Sequence, residues 1–368
     1  MDLLSVEEEI ARLLDGCKDA CAIWKSPGET SLQITVGKFV NVDSLKALAQ
    51  HRGFVMSPFN PNGDLPITVL VPNDIITYKL PKSDDALFVE GKSYNNNRSE
   101  NLSDCSCKDE EYRWYRERFN LFVNAVNQGE LRKLVLSRKK DLTVNKVNFE
   151  LKAFLKACYL YNDSYVYLCK NGSYGTWIGA SPEVLLCANE GNCMTVALAG
   201  TMQSDNNLLP DKWDSKNRAE QAFVADYLRE IVRNFDLSFK ESAPFTVKAG
   251  KLLHLKTVFT FKMENKSDFG DLLELIHPTP AVCGLPKREA LNFILKNEGY
   301  KRGYYSGFVG KLNIEKETEL YVNLRSMNIC DNVVTLYAGG GIVKGSVAND
   351  EWIETERKME TMHDLLFD

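Results

Sequence analysis

GELRKLVLSRKK, residues 129–140, is a basic segment with an apolar centre, Leu134-Val135-Leu136. If this segment is a strand, alternation places Lys133 on the same face as Val135 and Ser137. A lysine in that position either blunts the edge of a sheet or is a buried amine with a chemical role. The other cations of the segment are interpreted as solvated or edge charges: Arg132, Arg138, Lys139 and Lys140.

The composition is typical of a soluble globular protein, with 368 residues, 44% hydrophobic and 26% charged residues. The net charge of -5 gives no basic field for nucleic acid but leaves room for an anionic small substrate. The N-terminus is acidic and amphipathic rather than a signal peptide, and no apolar run reaches the length of a membrane span. The ten cysteines show no repeated CxxC spacing. We therefore expect a reduced, cytoplasmic protein that binds neither nucleic acid nor a membrane.

The pattern of strands and helices predicts an α+β fold. Residues 1–80 contain short β-rich runs separated by turns, and residues 81–110 are polar and are expected to form a disordered connection. Helices are predicted at about 111–128, 147–160 and 214–235, and near the C-terminus. Long strands lie between these helices, some in hairpin order, which favours one mixed α+β domain over residues 1–368 rather than a doubly wound fold.

The predicted helix at 214–235 carries an unusual carboxylate. Glu220 and Lys216 lie on the N-terminal continuation of an apolar stripe. That stripe consists of Val224, Tyr227, Ile231 and Phe235. Glu220 either forms a weak pair with Lys216 within the helix or points toward a functional site.

The C-terminal helix repeats this arrangement. Glu351, Glu354 and Lys358 lie along one flank at spacings of three and four residues. Acidic residues in a first turn often only complement the helix dipole. However, Mg²⁺ is typically held by one or two carboxylates together with waters and an anionic substrate. Two helices that present carboxylates are therefore compatible with a magnesium site.

Four further features are ambiguous when each is considered alone. YAGGGIVKGS, residues 337–346, provides a flexible backbone that can approach an anion, but it matches neither a dinucleotide fingerprint nor a P-loop. Arg325 can bind a carboxylate with two hydrogen bonds or lie at the surface. His277, in a proline-rich turn, and Glu183, at the start of a strand, each have an ordinary structural interpretation.

Taken together, the segments resemble the chorismate-utilising enzymes, which include isochorismate, salicylate, anthranilate and aminodeoxychorismate synthases. The resemblance runs from about residue 130 to residue 360. The segments are LRKLVLSR, GASPEVLL, ALAGT, KNRAEQ, HPTPAVCGLPK, RGYYSGFVG, LYVNLRSM, YAGGGIVKGS and EWIETERKME. The resemblance implies one large domain in which two β-sheets face each other, with helices outside them and the active site between them.

The resemblance also implies residue roles. Lys133 is similar to the general base of members that use water as the nucleophile, and Glu183 to the general acid. Mg²⁺ would be held by Glu220 and Glu354. Glu351 would either bind the ion directly or bind one of its ligands. Chorismate would be bound by several further residues, namely Thr201, His277, Tyr305, Arg325, Gly340, Gly341 and Lys358.

The same segments indicate which members of the family the sequence resembles most. Lys133 replaces the glutamine that is typical of anthranilate and aminodeoxychorismate synthases, and Ala199 in ALAGT replaces the lysine of members that form a covalent intermediate. We therefore expect an Mg²⁺-dependent isochorismate synthase, a monomer without a glutaminase subunit. Salicylate synthase remains the close alternative, and anthranilate synthase or a non-catalytic chorismate-binding protein is less favoured. The motifs do not distinguish menaquinone biosynthesis from siderophore biosynthesis.

Overall fold

The structure, a computed structural model, describes residues 3–16, 20–80, 105–144, 149–203, 213–235, 237–249, 252–263 and 265–366. The α-helices in these residues are α1 Leu3–Gly16, α2 Cys105–Asn127, α3 Phe149–Leu160, α4 Ser215–Asn234, α5 Lys266–Ile276, α6 Lys287–Asn297 and α7 Ala348–His363. A short 3₁₀-helix spans Lys46–Gln50. Among the helices of this described part of the chain, none is long and apolar enough to cross a membrane.

The strands are numbered in chain order. The first nine are β1 Ala20–Lys25, β2 Ser31–Val42, β3 Gly53–Ser57, β4 Ile67–Lys79, β5 Lys133–Thr143, β6 Tyr165–Asn171, β7 Gly175–Ser181, β8 Val184–Asn189 and β9 Asn192–Gln203. The remaining strands are β10 Phe239–Glu241, β11 Phe245–Ala249, β12 Leu252–Lys262, β13 Gly284–Leu285, β14 Phe308–Ile314, β15 Glu317–Val322, β16 Ser326–Cys330 and β17 Val333–Ile342.

All strand pairs are antiparallel, and they connect the sheet into two halves. The first half runs in the order β13, β5, β17, β16, β7, β6, β1 and β2. The second half runs β4, β3, β14, β15, β8, β9 and β12, with β10 and β11 along the outer side of β12. The antiparallel pairing of β2 with β4 joins the two halves, so the predicted pair of sheets is one continuous hydrogen-bonded network.

Three layers of side chains explain how the halves are arranged. Residues from both halves, including Trp24, Tyr167, Phe54 and Val309, form one shared inner core. The outer face of the first half packs against α1, α3 and α7, and that of the second half against α4 and α5. Helices α2 and α6 cover the end of β5. The predicted α+β fold, with facing sheets and helices outside, is confirmed.

The opening segment of the sequence forms β5, which is not a sheet edge at Lys133. Leu134 pairs with Ile342 of β17 on one side and with Gly284 of β13 on the other. The interpretation of Arg138 as a solvated charge was wrong. Its guanidinium is buried, lies 3.7 Å from the ring centre of Trp352 and donates to Thr355 and Glu356. It fastens α7 onto β5.

Helix boundaries agree with the predicted periodicity within a few residues, with one larger difference. Helix α4 begins after Asp214, whose carboxylate caps it by accepting from the backbone N–H of Asn217 at 2.7 Å. Helix α2 starts at Cys105, so residues 105–110 of the predicted disordered connection are helical. The rest of that connection, residues 81–104, lies outside the described residues.

Candidate active site

A cavity of about 670 Å³, including its opening to solvent, lies between the two halves of the sheet. Strands β5 and β17 contribute to its wall from the first half, and β9 and β12 from the second. The predicted site residues in its lining are Glu183, Thr201, Glu220, Tyr305, Arg325, Gly341 and Lys358. A larger open groove beside β8 and β12 contains none of the predicted site residues.

Lys133 is a buried amine rather than an edge charge. Its side chain is 0% exposed, and its Nζ lies 3.0 Å from Oε1 of Glu220. This contact is an ion pair without good hydrogen-bond alignment, because Nζ makes no hydrogen bond within the described residues. Gly341 lies directly beside the pair, and a Cβ on this residue would be 3.2 Å from Cε of Lys133. The absence of a side chain there gives the lysine its space.

Glu183 is a carboxyl group that holds its proton. It is buried, and it accepts a hydrogen bond from Oγ1 of Thr279 at 3.3 Å. Burial raises the pKa of Glu183 to about 8, although the positive charge of Lys133, the Thr279 hydrogen bond and Lys358 all oppose this shift. At neutral pH the group is therefore a proton donor that lies within the electrostatic reach of a lysine.

Arg325 is suited to bind an anion in the cavity. It is 9% exposed, and the ion pairs found among the described residues do not include it. Its backbone φ of 47° lies in the left-handed region, which is uncommon for arginine and concentrates at functional sites. A buried guanidinium without a carboxylate partner favours an anionic ligand.

His254 is a cavity residue that the sequence did not reveal. Its Nδ1 lies 2.9 Å from the carbonyl oxygen of Gly200, so Nδ1 carries the proton and donates it. Nε2 is then free to accept from Nη2 of Arg325, 3.5 Å away. Burial, Arg325 and Lys358 lower the pKa of His254 to about 3, so the ring is neutral. Gly200 is the extra residue of a β-bulge in β9 opposite β12, which no sequence pattern indicated.

His277, which is predicted to lie near the substrate, does not line the cavity in this structure. Its Nε2 lies 3.0 Å from the carbonyl oxygen of Pro58, and its ring packs edge-on against Phe308. Other residues of the same proline-rich turn reach the site. Thr279 donates to Glu183, and Ala281 and Val282 line the cavity.

The three predicted metal carboxylates are each paired with a lysine. Besides the Lys133–Glu220 pair, Lys216 lies 2.5 Å from Oε1 of Glu351. Lys358 lies 2.5 Å from Oε1 of Glu354 and also donates to the carbonyl oxygen of Gly339 at 2.9 Å. The alternative of a Lys216–Glu220 pair within α4 is therefore wrong, because each partner contacts a different helix or strand.

The remaining predicted residues surround the same space. Thr201 donates its backbone N–H to Oδ1 of Asn217 at 2.9 Å. Tyr305 stacks on Tyr337, with ring centres 5.1 Å apart. Gly340 does not line the cavity, but a Cβ there would lie 3.1 Å from Oε2 of Glu351, so its missing side chain makes room for that carboxylate.

Glu183 and Arg325 line one cavity, and the buried amine of Lys133 lies within electrostatic reach of Glu183. Such a combination of an acid, an amine and a guanidinium is typical of sites for acid–base chemistry on anionic small molecules. Residues 74–367 match the model of the chorismate binding enzyme family. The chain belongs to this family, as the resemblance implied.

Individual relatives extend this finding. The isochorismate synthase MenF of Escherichia coli is 32% identical over 67% of this chain and 58% of its own length. The salicylate biosynthesis isochorismate synthase of Pseudomonas aeruginosa is 30% identical over 70% of this chain and 55% of its own length. The chain thus spans less than two thirds of the length of these curated relatives. The solved structure of the menaquinone-specific MenF from E. coli has a TM-score of 0.75 and 25% identity, covering 95% of this chain and 89% of that chain.

Proposed function

We propose that the protein is an isochorismate synthase, which converts chorismate to isochorismate with the aid of Mg²⁺. The observation that carries the proposal is the Lys133–Glu183 arrangement. Glu183 lines the cavity with a raised carboxyl pKa, and Lys133 is a buried amine that lies behind the lining, within electrostatic reach of Glu183. The similarity to proteins named isochorismate synthase supports the same reaction.

The reaction requires one base and one acid. Water attacks C2 of chorismate while the ring double bonds shift, and the hydroxyl group on C4 leaves. Lys133, in its neutral amine form, accepts the proton of the attacking water, so its ammonium must first give up a proton. Glu183 gives its proton to the departing hydroxyl, which leaves as water, and after turnover Lys133 loses and Glu183 regains a proton by exchange with solvent. Atoms balance because one water enters and one leaves. Each proton transfer is expected to contribute about 10²–10⁴-fold to the rate.

The carboxylates of chorismate have matching cations and donors in the cavity. Arg325 supplies a guanidinium oriented by His254, and Lys358 and Tyr305 lie in the same wall. Strand β17 pairs with β16 only as far as Leu336 but pairs with β5 as far as Ile342. The backbone of Gly340–Gly341 on the side away from β5 is therefore available to hydrogen-bond an anion.

The carboxylate oxygens near Gly340 and Gly341 are suitable ligands for a divalent cation. A Cβ on Gly341 would lie 2.3 Å from Oε1 of Glu220, and one on Gly340 would lie 3.9 Å from Oε1 of Glu354. Because the strand has no side chains here, carboxylates from α4 and α7 approach the same two residues. Within the described residues no three acidic, histidine or cysteine groups converge on a point. However, Mg²⁺ commonly takes only one or two carboxylates and completes its shell with waters and substrate oxygens.

Glu220 and Glu354 are proposed to hold the ion, with Glu351 beside them. When bound, Mg²⁺ supplies positive charge for a substrate carboxylate. The protein residues bind and orient the ring and move the two protons. We also propose that the chain acts without a glutaminase subunit, since water rather than ammonia is the nucleophile, and that it is a monomer.

One experiment distinguishes the possible activities. The purified protein is incubated with chorismate and Mg²⁺, with and without ammonium, and the products are identified by chromatography. Isochorismate alone is expected in both cases. Salicylate with pyruvate would indicate a salicylate synthase, ammonium-dependent anthranilate would indicate an anthranilate synthase, and unchanged chorismate would indicate a binding protein.

Variants and chelation test the assigned roles. Lys133→Ala and Glu183→Gln should each abolish product formation while the far-UV circular dichroism spectrum is retained. EDTA should stop the reaction and added Mg²⁺ should restore it. Normal turnover by either variant would refute its assigned role, and activity that is indifferent to EDTA would remove the metal from the proposal.

A further inference from the structure

The three lysines that pair with the candidate metal carboxylates are not equivalent. Lys133 is 0% exposed, and Lys358 is 16% exposed and is also anchored to the carbonyl oxygen of Gly339. Lys216 is 39% exposed, and its one hydrogen bond among the described residues is to Glu351. Lys216 is therefore the lysine of this group that is most easily moved.

Lys216 also lies at the electrostatic centre of the group. Its ammonium is hydrogen-bonded to Glu351 and interacts through its charge with Glu220 and Glu354 as well. It projects from the first turn of α4 toward the first turn of α7, and it bridges the two helices that carry the carboxylates. The positive charge of Lys216 thus lies within electrostatic reach of all three carboxylates, although only Glu351 contacts it directly.

We propose that the Lys216 ammonium takes the place of the divalent cation in the cation-free protein, and that it sets the affinity for that cation because the ion must displace it from Glu351. This inference rests on the proposed magnesium site. It accounts for the finding that the carboxylates do not converge in this structure, since each is turned toward a lysine.

The exchange follows from the burial of Glu351. That side chain is 2% exposed, and a buried carboxylate without a partner is strongly unfavourable. As a carboxylate, Glu351 is therefore stabilised by one cation beside it, either Lys216 or the metal. The lysine can move into solvent because two fifths of its side chain already contacts it, whereas Lys133 would have no water to enter.

Magnesium titration of the folded protein by isothermal calorimetry tests this competition. Lys216→Met keeps most of the side-chain volume but removes the competing charge. Its Kd for Mg²⁺ is expected to be about five- to tenfold lower than that of the wild type, the effect of losing one partly exposed ion pair. Lys296→Met, at an exposed position on α6, is the matched control and should leave the Kd unchanged.

A second measurement covers the possibility that Lys216→Met is unstable without metal. Its melting temperature should lie below that of the wild type in EDTA and should reach the wild-type value in saturating Mg²⁺. Lys216→Arg, which keeps the charge, should bind Mg²⁺ like the wild type.

The outcomes separate the two proposals. If the wild type binds Mg²⁺ and Lys216→Met binds it equally or more weakly, the inference about Lys216 is overturned while the metal site stands. If neither protein binds Mg²⁺, the metal site itself is refuted, and the inference falls with it.

Discussion

Glu183 is protonated at neutral pH because burial raises the pKa of its carboxyl group to about 8. A general acid works only while it holds its proton, so the rate of isochorismate formation should fall as the pH rises through about 8. The measurement is kcat/KM for chorismate between pH 6 and pH 10. A rate that stays constant across pH 8, while the protein remains folded, would contradict the assignment.

The same shift predicts a pH dependence of stability. The carboxyl pKa is higher in the folded state than its ordinary value of 4.5, so the folded state binds more protons between these two pH values. The contribution of this group to the free energy of unfolding should therefore decrease with rising pH across that interval and then level off. Glu183→Gln should lack this component when both proteins are unfolded in urea at pH 5 and pH 9.

His254 provides a prediction about substrate binding. Replacing it by asparagine removes the acceptor that faces Arg325, so the guanidinium should lose its fixed orientation. KM for chorismate is expected to rise about tenfold, the effect of roughly one oriented charge-assisted hydrogen bond, with a smaller change in kcat. His277→Asn is the matched control, because His277 contacts Pro58 and Phe308 outside the cavity. It should lower the melting temperature and leave KM unchanged, and the reverse pattern would restore the original prediction for His277.

Individual site residues differ in how far the sequence alone could predict their positions. The strand pattern left open whether Lys133 is an edge charge or a buried amine, the resemblance to the family favoured the amine, and the structure does bury it. His254 was not recognisable, since its position depends on a bulge at Gly200 that aligns it with Arg325. Arg138 looked equivalent to its exposed neighbour Lys139 until α7 placed Trp352 over it.

At the level of elements, a buried ion pair holds β5 against the segment that supports Glu183. Arg302 donates to both carboxylate oxygens of Glu298 at 2.6 Å, to Val135 of β5 at 2.8 Å and to Val282 at 2.7 Å. Glu298 also accepts from the backbone N–H of Ser137 at 2.8 Å. The pair therefore connects the strand of Lys133 with the segment of Thr279.

Removing one member of this pair should be costly. Glu298→Gln would leave the Arg302 guanidinium, 1% exposed, without a countercharge, and the free energy of unfolding should fall by about 3–5 kcal/mol. The Glu298→Gln, Arg302→Met double variant should lose less than the sum of the two single variants. Urea denaturation of all four proteins measures both quantities. Losses below about 1 kcal/mol for Glu298→Gln would show that water or another group replaces the carboxylate.

Most of these elements could be predicted from the sequence. The stripe on α4 is buried at Val224 and Ile231, and the region before residue 263 forms the expected strands β11 and β12. Helix α5 was not predicted, and α1 lies where short strands and turns were predicted. Residues 105–110 were assigned to a disordered connection from their polar composition, but they form the start of α2. Strand order could not be predicted either, because neighbours such as β5 and β17 lie far apart in the chain.

On the scale of the whole molecule, the sheet is continuous through the pairing of β2 with β4. Strands β2 and β4 approach each other closely at Gly37, where a Cβ atom would lie only 1.9 Å from the carbonyl oxygen of Val71. The register of the two strands shifts at the same point. Trp24 and Trp177 of the first half share the inner core with Phe54 and Val309 of the second. Neither half can separate from the other without exposing this core and breaking the β2–β4 pairing.

This continuity predicts that both halves unfold together, as the single-domain prediction from the sequence requires. Urea unfolding followed by tryptophan fluorescence and by far-UV circular dichroism should give coincident curves, since both probes then report the same transition. Gly37→Ala should lower the midpoint, because the added methyl group forces β2 and β4 apart where they join the halves. Fluorescence and circular dichroism curves that separate in the wild type would instead show that each half is stable alone. The cavity between them would then be an interface between two domains rather than part of one.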